Sequence, residues 1–600
     1  MKKIKTRDEV ASVDKWNIEL IYKNIDEFNK DYKELEEMLE ELSKKEKKFL
    51  DNSNNFKDFF LYLSKCSRIL EKLYVYASCK KDEDTSNTTY QELKDRMILL
   101  YTKYSEITSS VDPRILKEDE KTILSYLDKY KELEPFRHSI MSLLRQKKHT
   151  LSEQEERVIA SFTAVFDAGS SAYSYLTNAD MTFDDIKDED GNLVEFSEAN
   201  YINFITSKNR HVRKESFTKL FNGYGSYKNT ITALYSSILN CDSINSKLRG
   251  YSSSIESYLD KNDISIKLYD NLIKSVRSNL SNLYKYFDLK KEILGLDQFH
   301  LYDGYVSTIK EDDKKYSFDE AKDIILDCFK IYGDEYHKKL EEAFTNGWID
   351  KYPNKNKRSG AYSTGSYDTI PYVLLNYTEK YDDVSTLAHE LGHSMHTYFS
   401  NTNQAFENSG YPIFLAEIAS TTNELILNDY MYKKAKTKKE RLALLNEKLD
   451  MFKATLYRQT MFAEFEKNAH EYVDKGGVAT YEYLNNMYLD LNKDYFGPNV
   501  VVDDEIKYEW SRIPHFYTPF YVYQYATSLS ISCYVASNIL NNTKGFKEKY
   551  LELLKSGGRD YPLELLKIID INLNDTKVFD SANKMFNETL EEFYKVYKEK

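Results

Sequence analysis

The chain has 600 residues, of which 97 are acidic and 84 basic, giving a formal net charge of −13. This balance argues against a general nucleic-acid-binding surface and leaves no basic stripe for anionic lipid. A chain of this length can bury several cores, and its 19 glycines and 9 prolines are few enough to predict mainly long, uninterrupted helices.

Four long segments carry Leu, Ile, Tyr and Phe at three- and four-residue spacing between Lys and Glu, which predicts amphipathic helices. They are residues 28–50, 90–111, 264–294 and 436–470. Residues 165–195 are less periodic, and Asp190-Gly191-Asn192 predicts a turn between short extended segments. We therefore place a boundary near residue 200, between an N-terminal helical lobe (1–200) and a second domain (201–600).

Residues 371–377 are apolar and partly β-branched or aromatic, and a glycine-containing segment, 360–365, precedes them. This pattern predicts a strand entered from a loop. Two positions stay open for the strand: at a sheet edge it could pair with an extended peptide, whereas in a buried hairpin it could not. Gly365, Tyr367 and Tyr372 are candidate substrate contacts.

Residues 389–393 read His-Glu-Leu-Gly-His, for which composition predicts only about 0.03 chance matches per chain. Flanking apolar residues at helical spacing predict a helix, with an aspartate of residues 382–383 as its N-cap. On a helix, His389 and His393 lie one turn apart on one face and can bind one metal ion. Glu390 projects beside them, where it can take a proton from the attacking water.

A catalytic zinc ion normally takes three protein ligands, so a third must come from elsewhere. Glu417 and Glu424 lie seven residues apart in a predicted second helix and share a face, so one can bind the metal while the other orients a ligand histidine. Taken alone, a glutamate at either position is more often a solvated helix residue. His396 is about 10.5 Å along the helix from His389, too far to share a tetrahedral zinc site.

Four runs resemble the thimet oligopeptidase family of zinc metallopeptidases, and within it the oligoendopeptidase F group: residues 371–377, 382–396, 417–420 and 513–527. The resemblance implies that His389, His393 and Glu417 bind one Zn²⁺ per chain. It also implies that Glu390 is the general base. The likeness extends from about residue 250 onward, and more weakly over the N-terminal third.

In residues 513–527 the resemblance implies groups that bind substrate and the transition-state oxyanion. A tyrosine hydroxyl or imidazole N–H aimed at that oxygen can contribute about 3 kcal/mol. His515 is our first choice and Tyr525 the second. Among their neighbours, Tyr517, Tyr521 and Tyr523 stay open, because the spacing is tighter than in the thimet branch and the alignment can shift. With 52 tyrosines in the chain, any one of them is more often a packing residue than a catalytic one.

The implied fold is a mainly α, two-lobed helical ellipsoid around a deep substrate channel, with a small β-sheet beside the motif helix. Residues 201–600 would then be the catalytic zinc metallopeptidase domain. Such a channel admits short unstructured peptides, whose internal bonds would be cut, and excludes folded proteins. Two alternatives are a helical peptide-binding protein with an inactive or structural zinc site and a metal-dependent carboxypeptidase on a similar frame.

The sequence also bears on location. It has no apolar run of 18 residues to span a membrane, and its first 25 residues lack the apolar core of a secretory signal. Five widely spaced cysteines suit reduced thiols. We therefore expect a cytoplasmic protein that binds short peptides but neither nucleic acid nor membrane, and nothing indicates an obligate protein partner.

Overall fold

A computed structural model describes residues 4–309 and 314–599, most of which are helical, so the mainly α prediction is confirmed. The α-helices of these residues are α1 (Ile25–Glu46), α2 (Ser53–Glu83), α3 (Thr88–Thr108), α4 (Val111–Lys117), α5 (Glu120–Lys129), α6 (Arg137–Arg145), α7 (Glu153–Ser161), α8 (Thr163–Phe166), α9 (Ala168–Tyr175), α10 (Tyr201–Ile205), α11 (Arg210–Ser226), α12 (Lys228–Leu248), α13 (Ser254–Asp260), α14 (Ile266–Ser278), α15 (Leu280–Leu294), α16 (Phe318–Cys328), α17 (Asp334–Thr345), α18 (Tyr381–Asn403), α19 (Phe406–Ser409), α20 (Ile413–Lys434), α21 (Lys438–Phe452), α22 (Gln459–Asp474), α23 (Tyr481–Phe496), α24 (Tyr523–Leu540), α25 (Phe546–Lys555), α26 (Pro562–Leu566) and α27 (Lys577–Lys598).

Short strands form three small sheets in the described part of the chain. The strands are β1 (Ile186–Lys187), β2 (Leu193–Val194), β3 (Phe299–His300), β4 (Ile349–Asp350), β5 (Tyr362–Thr364), β6 (Tyr372–Leu374) and β7 (Val500–Val501). Strands β1 and β2 are antiparallel on either side of the predicted turn, which is thereby confirmed, and β3 pairs in parallel with β7. The third sheet has the order β4-β6-β5, with β6 parallel to β4 and antiparallel to β5.

The predicted helix over residues 264–294 is two helices, because the chain breaks at Asn279 between α14 and α15. The Asn279 side-chain amide donates to the backbone oxygen of Ser275 at 2.8 Å. An asparagine side chain that bonds to nearby backbone offers the chain an alternative to continued helix. The prediction of one continuous helix was therefore wrong at this residue.

The chain divides into two compact units, each built from three segments. Unit 1 comprises residues 1–148, 314–430 and 535–571, and unit 2 comprises residues 149–313, 431–534 and 572–600. This spatial division does not follow the order of the chain. The separate division of the sequence near residue 200 stays a prediction.

The hydrophobic core of unit 1 includes the buried faces of α1 and α2, with Phe28, Leu35 and Phe59 fully buried. Tyr372 and Leu374 of β6 belong to the same core. Strand β6 is therefore the buried hairpin strand, and the edge position expected as its alternative belongs to β5. The segment 360–365, expected to be a loop, contains this edge strand.

Within residues 4–309 and 314–599, each helix is too short or too polar to cross a bilayer. All five cysteines are free thiols, and four of them are buried.

Candidate active site

The His-Glu-x-x-His run lies in the middle of α18, which begins at Tyr381. The N-cap is Lys380 and not an aspartate, so the predicted cap residue was wrong. Asp383 still caps the helix from its first turn: its carboxylate accepts hydrogen bonds from the backbone N–H of Lys380 at 2.9 Å and of Thr378 at 2.8 Å. A carboxylate here satisfies free N–H groups and favours the positive end of the helix dipole.

Three side chains of unit 1 converge on a point that can hold a metal ion. The Nε2 atoms of His389 and His393 lie 3.2 Å apart, and Glu417 Oε2 lies 3.6 Å from the first and 3.7 Å from the second. Ligand atoms at the corners of a tetrahedron around zinc are about 3.3 Å apart, given zinc–nitrogen bonds of about 2.05 Å. The triangle therefore fits a zinc ion, and it leaves the fourth corner open. Among the described residues it is the one group of this kind.

Both ligand histidines have a second partner that fixes the ring. His389 Nδ1 lies 3.4 Å from Glu424 Oε2, and His393 is hydrogen-bonded to the backbone oxygen of Ala416. Such partners set the tautomer and leave Nε2 free to bind a metal. Glu417 is itself held, because its Oε2 accepts a hydrogen bond from Ser420 Oγ at 3.1 Å.

The two imidazoles differ in proton affinity. Burial opposes a charge on His389, but its hydrogen bond to Glu424 and the charges of the neighbouring carboxylates together outweigh burial and raise its pKa. Burial and the neighbouring charge on His389 lower the pKa of His393. The two rings therefore do not both carry a charge, and a cation between them would replace a proton.

Glu390 lies on α18 beside the ligand triangle and is only 8% exposed. Burial raises the pKa of its carboxyl to about 7, and the backbone N–H of Ser363 in β5 donates a hydrogen bond to it. A carboxylate with a pKa near neutrality can both accept and release a proton, as a general base requires.

Helices α18 and α20 touch where Gly392 meets Ser420. A Cβ on Gly392 would lie 2.6 Å from Ser420 Cα and 2.9 Å from Ala419 O, so only glycine permits this approach. Asn423 of α20 adds a hydrogen bond between the same two helices, because its Nδ2 donates to the backbone oxygen of Ala388 in α18 at 3.1 Å. Sequence reasoning assigned no role to Gly392, Ser420 or Asn423. The signal that could have pointed to Asn423 is its polar side chain, next to Glu424 in a largely apolar helix.

The edge strand β5 is attached to α18 through side chains. The hydroxyls of Ser363 and Ser394 share a hydrogen bond of 2.8 Å. Ser363 pairs in register with Val373, whose N–H donates to Trp348 on the opposite side of β6. The backbone N–H and C=O of Ser363 therefore point away from β6, toward the open edge. The small sheet expected beside the motif helix is confirmed.

The three substrate candidates of the β5–β6 region have different surroundings. Tyr372 is fully buried and its hydroxyl donates to the backbone oxygen of Asn17 at 3.2 Å, which is a core environment and offers no surface to a substrate. Tyr367 is fixed by two hydrogen bonds: its backbone N–H donates to the Glu71 carboxylate at 3.0 Å, and its hydroxyl donates to the backbone oxygen of Gln404 at 2.8 Å. Gly365 directly follows β5, and its own substrate role stays a prediction.

The C-terminal candidates lie in unit 2. Tyr525 Oη lies 3.4 Å from His515 Nε2, and the Tyr521 ring packs on both side chains. Burial lowers the pKa of His515, which favours the neutral ring. Tyr517 stacks on another tyrosine ring at 4.0 Å, and Tyr523 is 3% exposed.

His396 is not part of the ligand triangle, as the helical rise predicts. It is buried, and its ring stacks on Tyr411 at 3.7 Å. Burial lowers its pKa to about 3, so the ring is neutral at physiological pH.

Comparison with known proteins gives consistent matches over nearly the whole chain. The family model described as Peptidase family M3 matches residues 203–585, and the model described as Oligopeptidase F matches residues 114–183. Oligopeptidase PepF of Bacillus subtilis (strain 168) is 40% identical over 586 residues, which cover 98% of this chain and 88% of that protein. A solved chain from Chlamydophila abortus has a TM-score of 0.92 and 36% identity, covering 99% of this chain and 100% of its own. The oligoendopeptidase-F from Enterococcus faecium has a TM-score of 0.75 and 34% identity, covering 95% and 99%.

Proposed function

Because the chain belongs to peptidase family M3 and is a metallopeptidase of its oligoendopeptidase F group, we propose that it uses one zinc ion to cut internal bonds of short unstructured peptides, with Glu390 as the general base. The observation that carries this proposal is the ligand triangle of His389, His393 and Glu417, with Glu390 on the adjoining turn of α18.

The donor set and its spacing support zinc. Two neutral imidazoles and one carboxylate are a ligand set of hydrolytic zinc sites, and the fourth position stays open for the reaction. Zinc in such a site supplies Lewis acidity, which polarises the scissile carbonyl and acidifies water.

The protein's own proton carrier in this proposal is Glu390. Its carboxylate accepts a proton from the attacking water and passes it to the leaving amine. Burial and the Ser363 N–H hold the carboxylate in one place, and burial raises its pKa, which makes it a stronger base. His389, His393 and Glu417 hold the metal and do not exchange protons with the substrate.

We propose that substrate pairs with the free edge of β5. The carbonyl of Ser363 points toward that edge and can accept a hydrogen bond from a peptide N–H. Main-chain pairing depends little on side chains, which suits a peptidase that accepts varied sequences. A cavity of about 210 Å³ lies beside the start of β5 and is lined in part by Ala361, Asn376 and Thr386, so it can take a small substrate side chain.

His515 and Tyr525 are the proposed oxyanion and substrate groups. A hydroxyl and a neutral imidazole within 3.4 Å of each other can both donate to one oxygen. His515→Ala and Tyr525→Phe should each lower kcat by roughly 10- to 1000-fold while leaving the metal content unchanged.

The test of the proposed function is mass spectrometry of a mixed-length peptide library incubated with the protein. We expect internal cuts in short peptides, including C-terminally amidated ones. A chelator should abolish this cleavage, and added zinc should restore it. Trimming of single residues from free C-termini would instead indicate a carboxypeptidase, and no cleavage would leave a peptide-binding protein. The same mixture should contain a folded protein, which we expect to stay intact.

Glu424→Gln tests the role of the acid behind His389. The variant keeps the shape of the side chain but loses the charge that orients and polarises the ring, so zinc affinity should fall roughly 10- to 100-fold. Competition against a chelator of known affinity measures this. Unchanged affinity in Glu424→Gln would show that Glu424 does not support the site.

The cytoplasmic location also remains a proposal. Cell fractionation with an antibody against the chain tests it, and recovery in the culture medium would contradict it.

A further inference from the structure

Unit 2 contains a buried polar cluster that the proposed reaction does not use. Its members are Asp242 on α12 and Glu466 and His470 on α22, all at least nine-tenths buried. His470 Nε2 lies 3.0 Å from Asp242 Oδ2, and its Nδ1 lies 2.9 Å from the backbone oxygen of Glu466. Burying ionisable groups is costly, so the cluster needs a structural or functional reason.

The carboxyl group of Glu466 accepts a hydrogen bond from one backbone amide outside α22. Its Oε1 accepts a hydrogen bond of 2.7 Å from the N–H of Phe520, and its Oε2 accepts none from the described residues. Phe520 has a φ of +56°, in the left-handed region that a bulky residue rarely adopts. Such a conformation persists only where the surroundings hold it in place.

The ring of Phe520 is held as firmly as its amide. It is 3% exposed and packs against the rings of His470 at 4.5 Å, Tyr258 at 5.5 Å and Tyr269 at 6.1 Å. The hydroxyl of Tyr258 donates to Asp242 at 2.8 Å. The cluster therefore fixes both the backbone and the side chain of Phe520.

Phe520 lies between the two proposed substrate-binding groups of unit 2. His515 lies in the 3-10 turn Pro514–Tyr517, and Tyr525 lies in the first turn of α24, which begins at Tyr523. Residues 518–522 join these two elements. His515 and Tyr525 are half-buried, whereas Phe520 between them is buried, so the loop has a fixed point inside the core and functional groups at either end.

We propose that Glu466 is a positioning residue for His515 and Tyr525, and that its hydrogen bond to the Phe520 amide sets the separation of those two side chains. This inference rests on the function proposed above for His515 and Tyr525. It adds a buried residue, 49 positions upstream of His515, that touches neither metal nor substrate but fixes the groups that do.

Two substitutions at Glu466 test its role as a hydrogen-bond acceptor. Burial raises the pKa of Glu466 to about 8, so glutamine resembles the protonated carboxyl and keeps an oxygen that can accept the Phe520 N–H. Methionine has a similar volume but no acceptor. We expect Glu466→Gln to retain activity within about threefold and Glu466→Met to lower kcat roughly 10- to 100-fold with a smaller change in KM and unchanged zinc content.

Hydrogen exchange measured by mass spectrometry tests directly whether the hydrogen bond of Glu466 stabilises the loop around Phe520. In Glu466→Met the four amide hydrogens of residues 518–522, which include Pro519 and so have one fewer than their number, should exchange at least about tenfold faster than in the wild type. In Glu466→Gln they should not. The matched control is Glu464→Met on the same helix, which removes a partly exposed ion pair with Arg277 but leaves the Phe520 contact intact. We expect it to lower the unfolding temperature without changing exchange in residues 518–522.

Unchanged exchange in Glu466→Met, or faster exchange with full kcat, would overturn the proposal. Should Glu466→Met fail to fold, Glu466→Leu replaces it, because leucine is a smaller apolar side chain that also lacks an acceptor for the Phe520 N–H; the same rise in exchange and fall in kcat are expected. Full kcat in both His515→Ala and Tyr525→Phe would overturn the proposed function of those residues, whereas the exchange rate decides separately whether Glu466 anchors the loop.

A double variant measures the coupling. If Glu466 acts through Tyr525, then Glu466→Met combined with Tyr525→Phe should lower kcat by clearly less than the product of the two single effects. Additive effects in this pair and also in Glu466→Met combined with His515→Ala would show that Glu466 affects activity by another route and would overturn the proposal.

Discussion

Glu390→Gln should bind zinc as the wild type does and lose turnover by roughly 100- to 10,000-fold. Glutamine has nearly the same shape and can still accept a hydrogen bond from the Ser363 N–H, but it cannot take up a proton from water. The measurements are kcat on a short peptide and zinc content after removal of excess metal. Near-normal turnover would rule out Glu390 as the general base.

His393→Ala is the control with the opposite pattern. It removes one of the three ligand atoms, so metal content should fall together with activity, and added zinc should restore little of it. The unfolding temperature of both variants without metal should lie close to that of the metal-free wild type. A His393→Ala protein that retained stoichiometric zinc would place the metal elsewhere.

Gly392→Ala should disrupt the metal site although residue 392 carries no ligand. The added Cβ would lie 2.6 Å from Ser420 Cα and 2.8 Å from Ser420 N, and backbone atoms cannot turn aside as a side chain can. Helix α20 must therefore move away from α18, which carries Glu417 away from the two histidines. We expect a loss of stability of about 1–3 kcal/mol and a fall in zinc affinity of at least about tenfold.

Gly410→Ala is the matched control for this substitution. Gly410 also lies in unit 1, but a Cβ there would have no atom within 4 Å, and its φ of −70° is open to alanine. The same chelator competition and thermal unfolding should give wild-type values. Normal zinc affinity in Gly392→Ala would mean that α18 and α20 can separate without opening the ligand triangle.

Features set by neighbouring residues could be predicted from the sequence. The spacing of His389 and His393 places both on one helix face because the α-helical repeat is a local property of the backbone. The turn at Asp190-Gly191-Asn192 follows from residue types that tolerate its backbone angles, with Gly191 at a φ of +83°. The helix break at Asn279 was missed, because an asparagine side chain competes with the helix only in some surroundings.

The choice between two glutamates of α20 depended on the family resemblance. Spacing alone places Glu417 and Glu424 on one face and does not say which one reaches the metal. In the structure Glu417 faces both Nε2 atoms, and Glu424 faces the far side of the His389 ring. The contact of Gly392 with Ser420 sets this offset between the helices.

The sequence by itself therefore determined the helical class, the paired histidines and the glutamate beside them, since each depends on residues within a few positions of one another. Only the tertiary structure decided that β5 is the edge strand, that Tyr372 is a core residue and that Glu466 holds the Phe520 amide. These depend on which distant segments pack together, and an alternating or periodic pattern is the same whichever partner covers it.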